Sequence, residues 1–64
     1  MPTIMVNMFE GRTLEQKRKL VAAMTEAVVQ SLGVKPEAVR IFLKEMAREN
    51  HAVGGVLTSD TKGG

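Results

Sequence analysis

Residues 14–32 are the segment of the sequence that most limits the fold. Thr13 precedes the segment and Gln16 follows three residues later, which is the spacing of a helix capping box, and Gly33 is a natural left-handed terminator. The pattern predicts one helix over 14–32, about 28 Å long at ~1.5 Å per residue. Its apolar side chains recur at the spacing of an amphipathic helix: Leu14, Val21, Met24, Ala27 or Val28, and Leu32.

Segments of alternating residues flank the predicted helix on both sides. Residues 3–9 and residues 39–46 each place apolar side chains at every second position, as in a strand with one buried face. In the first segment Ile4, Val6 and Met8 share the uniformly apolar face. Strand, helix and strand in this order predict a βαβ unit of the α/β class, with parallel strands and a right-handed connection.

The remaining segments are short. Pro36 is suited to open one helical turn before the second strand. Gly54-Gly55 interrupts the apolar residues of 51–57, which predicts a hairpin near the C-terminus, and residues 58–64 are predicted to be a loose tail. No repeat or composition shift divides residues 1–64, so we expect one domain.

A chain of 64 residues is small for a stable fold. It contains no cysteine, and its single histidine, His51, makes a structural zinc site a poor fit. One core of this size rarely supplies more than ~3–5 kcal/mol. The helix covers one sheet face only, so we expect two chains to join into a four-stranded sheet with two helices, and further association to cover the second face.

Composition removes several classes of function. No apolar run is long enough to span a membrane and no signal peptide begins the chain, which favours a cytoplasmic protein without a membrane partner. The net charge is +2 and the aromatic residues are Phe9 and Phe42 alone, so a nucleic-acid partner is not expected. No phosphate-binding, metal or cofactor motif occurs; Gly54-Gly55 lacks the context of a dinucleotide site.

The pair Met1-Pro2 is a candidate source of a catalytic base. Removal of Met1, common before a small residue, converts Pro2 into a free secondary amine. An α-amino group has a pKa of ~7.7–8.0, and partial burial or neighbouring cations lower it. A neutral amine at pH 7 is a general base or a nucleophile. The alternative is that Pro2 merely starts a strand.

Two arginines are candidates for binding an acidic substrate. Arg12 follows the first strand at the Gly11 turn, and Arg40 lies near the start of the second strand. The guanidinium group binds carboxylates through two parallel hydrogen bonds. The alternatives are a solvated turn residue for Arg12 and a polar member of an alternating strand for Arg40.

Together these residues resemble the 4-oxalocrotonate tautomerase family, small βαβ enzymes with an amino-terminal proline as catalytic base. The resemblance extends without a gap from residue 2 to about residue 59. It is carried by Met1-Pro2, Glu10-Gly11-Arg12, Glu15-Gln16-Lys17, Ser31-Leu32, Val39-Arg40, Glu45-Met46-Ala47 and Gly54-Gly55.

The resemblance implies a cofactor-free isomerase that converts 2-hydroxymuconate to 2-oxo-3-hexenedioate in aromatic-compound degradation. Pro2 would move the proton. Arg40 of a neighbouring subunit would bind one carboxylate and polarise the adjacent carbonyl, and Arg12 would bind the far carboxylate. The family forms homohexamers that are trimers of dimers.

Two positions depart from the family pattern. His51 stands where the family has a phenylalanine lining the substrate site, so we expect it to contact the substrate. Phe9 stands where an aliphatic residue is frequent, and we expect it to add apolar surface to the same substrate-binding site. Either His51 alters the substrate preference or pH profile, or it is a tolerated substitution with no role in proton transfer. The alternative functions are enolpyruvate tautomerisation, haloacrylate hydration or dehalogenation on the same scaffold, and an oligomeric nucleic-acid-binding module that uses the basic helix.

Overall fold

The computed structural model describes residues 1–61. The sheet strands are β1 (Thr3–Phe9) and β2 (Arg40–Met46), separated by the helix α1 (Leu14–Leu32), and a hairpin follows with β3 (Ala52–Val53) and β4 (Val56–Leu57). Three short 3₁₀ turns lie between or after these elements, at Pro36–Ala38, Arg48–Asn50 and Thr58–Asp60. The predicted order of strand, helix, strand and hairpin is confirmed.

The ends of α1 are those that the sequence predicts. The Thr13 hydroxyl accepts a hydrogen bond from the Gln16 backbone N–H at 3.1 Å, and the Gln16 side chain accepts one from the Thr13 N–H at 2.9 Å. Gly33 has φ of 69°, and its N–H donates to the Val29 carbonyl at 2.9 Å. Backbone groups at the two helix ends that lack a partner within the helix, such as the Gln16 N–H, therefore find partners in the capping residues.

β1 and β2 are parallel and run in register from the pair Thr3 and Arg40 to the pair Phe9 and Met46. β2 begins one residue later than predicted. The Val39 N–H donates to the Pro36 carbonyl at 3.1 Å, so Val39 closes the preceding turn instead of joining the ladder.

The helix lies on one face of this two-stranded sheet. Lys17 Nζ on α1 contacts Glu45 Oε1 on β2 at 2.8 Å, and the apolar side chains of Ile4 and Val6 on β1 are partly buried. On the opposite face, Met5 and Phe42 are register partners and are 60% and 53% exposed. One protomer therefore leaves two adjacent apolar side chains of this mixed sheet face in contact with solvent.

The described chain has no closed core. No residue of 1–61 is fully buried. The accessible area is 5017 Å², against about 4,000 Å² expected for a folded monomer of this mass. The radius of gyration is 14.9 Å, against about 11 Å for a globular domain of this length. A single copy therefore exposes more surface than a closed globular domain of the same mass.

The C-terminal hairpin turns at Gly54 and Gly55, whose φ angles of 61° and 84° are those of a tight hairpin turn. The prediction of a loose tail is wrong for residues 58–60, which form a 3₁₀ turn. The Thr58 N–H donates to the His51 carbonyl at 2.8 Å, and the Thr61 N–H donates to the Thr58 carbonyl at 3.0 Å. Residues 62–64 of the predicted tail lie outside the described residues.

Candidate functional site

Pro2 and Arg40 lie side by side at the amino end of the parallel sheet. Pro2 immediately precedes β1, and Arg40 is the first residue of β2. The Arg40 N–H donates to the Pro2 carbonyl at 3.0 Å. Pro2 is partly exposed and the Arg40 side chain is exposed, so both are accessible from solvent. The fold thus holds the predicted base and one predicted carboxylate-binding residue at one end of the sheet.

Met1 precedes Pro2, and with Met1 attached the Pro2 nitrogen is an amide without basicity. Met1 is 77% exposed, so its bond to Pro2 lies at the surface of the protomer. Removal of Met1 leaves a secondary amine close to the start of β2.

Arg12, Phe9 and His51 lie at the other end of the sheet. Phe9 ends β1, and Arg12 follows the Gly11 turn, where φ is 116°. The seven residues of β1 span about 23 Å at ~3.3 Å per residue. A six-carbon diacid is much shorter than this, so Pro2 and Arg12 of one chain do not contact the same substrate. A site that contains both residues needs a second copy of the chain.

The carboxyl end of the sheet is built around the Phe9 ring. The His51 ring meets it edge-on, with centroids 5.2 Å apart and an interplanar angle of 87°. The Arg48 Cζ lies 4.5 Å from the Phe9 centroid, within the range of a cation–π contact. His51 Nδ1 lies 2.7 Å from the Thr58 hydroxyl oxygen, which orients the imidazole.

Two cavities meet at Phe9. The larger, about 340 Å³, is lined by Phe9, Glu10, Arg12 and Arg48, together with Met8 and Gly11. The smaller, about 180 Å³, includes His51 in its lining. The predicted substrate-binding residues Phe9, Arg12 and His51 are therefore neighbours, whereas Pro2 and Arg40 form a separate group in the protomer.

Sequence reasoning missed Arg48 and Thr58 as members of the site. Arg48 belongs to a polar run directly after β2, and residues that follow parallel strands gather at the carboxyl edge of the sheet, where ligands of such sheets bind. Its position after β2 could therefore have identified Arg48 as a candidate ligand-binding residue. Thr58 lies beyond the hairpin and carries no comparable signal.

Residues 1–61 lack two further features. No helix there combines the length and the apolar character needed to cross a membrane. No group of three or more histidine or acidic side chains in the same residues is arranged to hold a metal ion.

Comparison with known proteins gives matches over nearly the whole chain. The family model described as "Tautomerase enzyme" matches residues 2–61. A 2-hydroxymuconate tautomerase of Bacillus subtilis (strain 168) is 47% identical over 60 residues, covering 94% of this chain and 97% of the relative.

Solved structures agree with the sequence matches. A structure from the 4-oxalocrotonate tautomerase isozymes of Methylibium petroleiphilum is 50% identical, with a TM-score of 0.86 and 91% of each chain covered. A heterohexamer 4-oxalocrotonate tautomerase of Chloroflexus aurantiacus J-10-fl is 29% identical, with a TM-score of 0.88 and 97% and 100% of the two chains covered. These matches confirm the predicted fold class and the resemblance. The protein belongs to the tautomerase family of enzymes and is an isomerase.

Proposed function

We propose that the protein catalyses enol–keto proton transfer on a small unsaturated 2-hydroxy diacid such as 2-hydroxymuconate, with Pro2 as the general base. The proposal takes Met1 to be removed in the active enzyme. In this reaction the 2-hydroxyl group loses its proton and becomes a carbonyl, the two double bonds shift by one position, and C5 gains a proton. The product is 2-oxo-3-hexenedioate, and no cofactor enters the balance.

Each proposed role follows from the charge of the group. The Pro2 amine accepts and returns protons near neutral pH. A guanidinium group of Arg40 from a neighbouring subunit binds the carboxylate beside C2 and stabilises the negative charge that develops on the C2 oxygen. Arg12 binds the far carboxylate as a planar fork.

The proposed enzyme is a homohexamer in which more than one chain contributes to each site. The exposed pair Met5 and Phe42 supports this assembly, because adjacent large apolar side chains on a sheet surface are a contact that a second copy can cover. The separation of Pro2 from Arg12 along β1 supports it independently. The relative from Chloroflexus aurantiacus is named as a heterohexamer.

The observation that supports the proposed base most directly is the contact between the Arg40 N–H and the Pro2 carbonyl at 3.0 Å. It holds the residue that carries the proposed amine in a defined position at the amino end of β1. The 47% identity to a 2-hydroxymuconate tautomerase supports the choice of substrate.

The test is turnover of 2-hydroxymuconate by three forms of the protein whose masses have been verified. The form that begins with Pro2 is expected to be active. An uncleaved amino-terminal extension, which keeps the Pro2 nitrogen as an amide, and Pro2→Ala are expected to lose about 10²–10⁴-fold in kcat/KM. Removal of the extension by a protease is the matched control and restores activity. Full activity in the extended form would falsify the proposed base.

A further inference from the structure

The carboxyl end of the sheet contains a second cation that the proposed mechanism does not use. Arg48 lies in the turn after β2, 36 residues beyond Arg12 in the sequence, and lines the same cavity of about 340 Å³. The ion pairs among residues 1–61 are Lys17 with Glu45 and Arg18 with Glu15, so neither Arg12 nor Arg48 has a carboxylate partner there.

The position of Arg48 is set by an aromatic platform. Its Cζ lies 4.5 Å from the centroid of the Phe9 ring. Stacking on a ring face uses the plane of the guanidinium group and leaves the N–H donors on its edge free to bind an anion. The edge-on contact of His51 with the same ring, at 5.2 Å between centroids, supports the platform from a second side.

The charges in this cavity favour an anionic ligand. Arg12 and Arg48 contribute two guanidinium groups, and Glu10 contributes one carboxylate, so the lining has a net positive charge. The volume of about 340 Å³ accommodates the end of a small organic acid. Two guanidinium forks in one cavity satisfy more carboxylate lone pairs than a single arginine does.

We infer that Arg48 joins Arg12 in binding the distal carboxylate of the substrate and makes the enzyme selective for diacids over monoacids. Phe9 acts as a positioning residue for Arg48. The inference rests on the proposed function for the identity of the substrate. It adds to that function a specificity-determining residue and a reason for the aromatic residue at position 9.

The first test compares a diacid with a monoacid that has the same reacting enol. Arg48→Ala is expected to raise KM for 2-hydroxymuconate about tenfold, as for loss of a charge-assisted hydrogen bond, with kcat unchanged. For 2-hydroxypenta-2,4-dienoate, which lacks the distal carboxylate, KM is expected to stay within about twofold. Arg18→Ala is the matched control, since Arg18 is an exposed arginine on α1, and it is expected to change neither KM.

The second test asks whether Phe9 acts through Arg48. Phe9→Leu keeps an apolar side chain and removes the ring face, and it is expected to reduce the preference for the diacid by about threefold. Because the two residues are in contact, their effects are not additive. Arg48→Ala is therefore expected to lower the preference for the diacid over the monoacid less in the Phe9→Leu protein than in the unaltered protein. Arg48→Lys, which keeps the positive charge, is expected to retain part of this preference. A purely structural role of Phe9 would reduce turnover of both substrates equally.

Binding of unreactive acids separates this inference from the proposed function. Adipate and hexanoate are titrated into the isotopically labelled protein and followed by NMR. Adipate is expected to bind more tightly than hexanoate, with the difference lost in Arg48→Ala. If 2-hydroxymuconate is not turned over but this difference appears, the proposed function fails and the anion subsite stands. Equal binding of the two acids, or a difference that survives Arg48→Ala, overturns the role of Arg48.

Discussion

The two ends of the parallel sheet hold their functional groups in different ways. At the amino end, a backbone hydrogen bond of 3.0 Å fixes Pro2 beside Arg40. At the carboxyl end, side chains hold one another: Arg48 and His51 on Phe9, and His51 on Thr58. Backbone pairing does not depend on side-chain identity, whereas the carboxyl end changes with every substitution. We therefore expect the amino end to set the chemistry and the carboxyl end to set the substrate.

The largest expected effect tests whether the amino end of one sheet and the carboxyl end of another form a site only when copies of the chain associate. Phe42→Asp places a charge on the sheet face where Phe42 is 53% exposed in the protomer. Burying that charge against a second copy is costly, so we expect loss of the oligomer and of nearly all activity, measured by sedimentation and turnover. Ser31→Asp, which adds the same charge at an exposed position of α1, is the control. An active monomer of Phe42→Asp would contradict a site shared between chains.

The next largest effect concerns the amino end. Arg40→Ala removes the cation proposed to stabilise the developing oxyanion, and we expect kcat on 2-hydroxymuconate to fall by about 10²–10³-fold. The β1–β2 register is expected to survive, because Arg40 pairs with Pro2 through its backbone. Circular dichroism and oligomeric state check this. A change in KM alone would show that Arg40 only binds substrate.

A smaller effect, on KM instead of kcat, is expected at the carboxyl end of the sheet. Arg12→Ala removes one exposed guanidinium group from the larger cavity. We expect KM for 2-hydroxymuconate to rise about tenfold with little change in kcat, since the lost contact is equal in the ground and transition states. Steady-state kinetics on the diacid and the monoacid measure this. A fall in kcat comparable to that of Arg40→Ala would show that the carboxyl end also contributes to the chemical step, contrary to the division between chemistry and substrate binding.

The smallest effect is expected at His51. His51→Phe keeps a ring for the edge-on contact with Phe9 and removes the contact between Nδ1 and the Thr58 hydroxyl. If His51 has no role in proton transfer, the pH–rate profiles of the two proteins superimpose, and kcat/KM changes by less than about threefold. A profile that loses one limb in His51→Phe would instead assign proton transfer to the imidazole.

Most of the fold was predictable because its signals are local. Thr13, Gln16 and Gly33 are capping residues that define α1, and the alternation in residues 3–9 defines β1. The start of β2 was predicted one residue early, because alternation does not reveal that the Val39 N–H is used by the turn at Pro36. The 3₁₀ turn at Thr58–Asp60 was missed because it depends on contacts with His51, seven residues away.

The candidate site was predictable by residue type and less so by position. Pro2, Arg12 and Arg40 stand out by their chemistry in the sequence. Their division between two ends of the sheet follows from parallel strands, whose amino ends lie together. Arg48 was missed although it follows β2 by two residues and the last residue of β2, Met46, is the register partner of Phe9. The contact of its guanidinium group with the Phe9 ring is a side-chain arrangement that no periodic pattern encodes.

In the proposed mechanism, the hydrogen bond between Arg40 and Pro2 lets Pro2 be both anchored and reactive. The bond uses the Pro2 carbonyl oxygen as its acceptor. The Pro2 nitrogen makes no sheet hydrogen bond, because a prolyl amide nitrogen has no hydrogen to donate. Trimming the chain at Met1 therefore removes no sheet hydrogen bond that Pro2 makes. The two backbone atoms of Pro2 therefore have separate roles in the proposed enzyme. The carbonyl oxygen anchors the start of β1 by its hydrogen bond, and the nitrogen is free to act as the base.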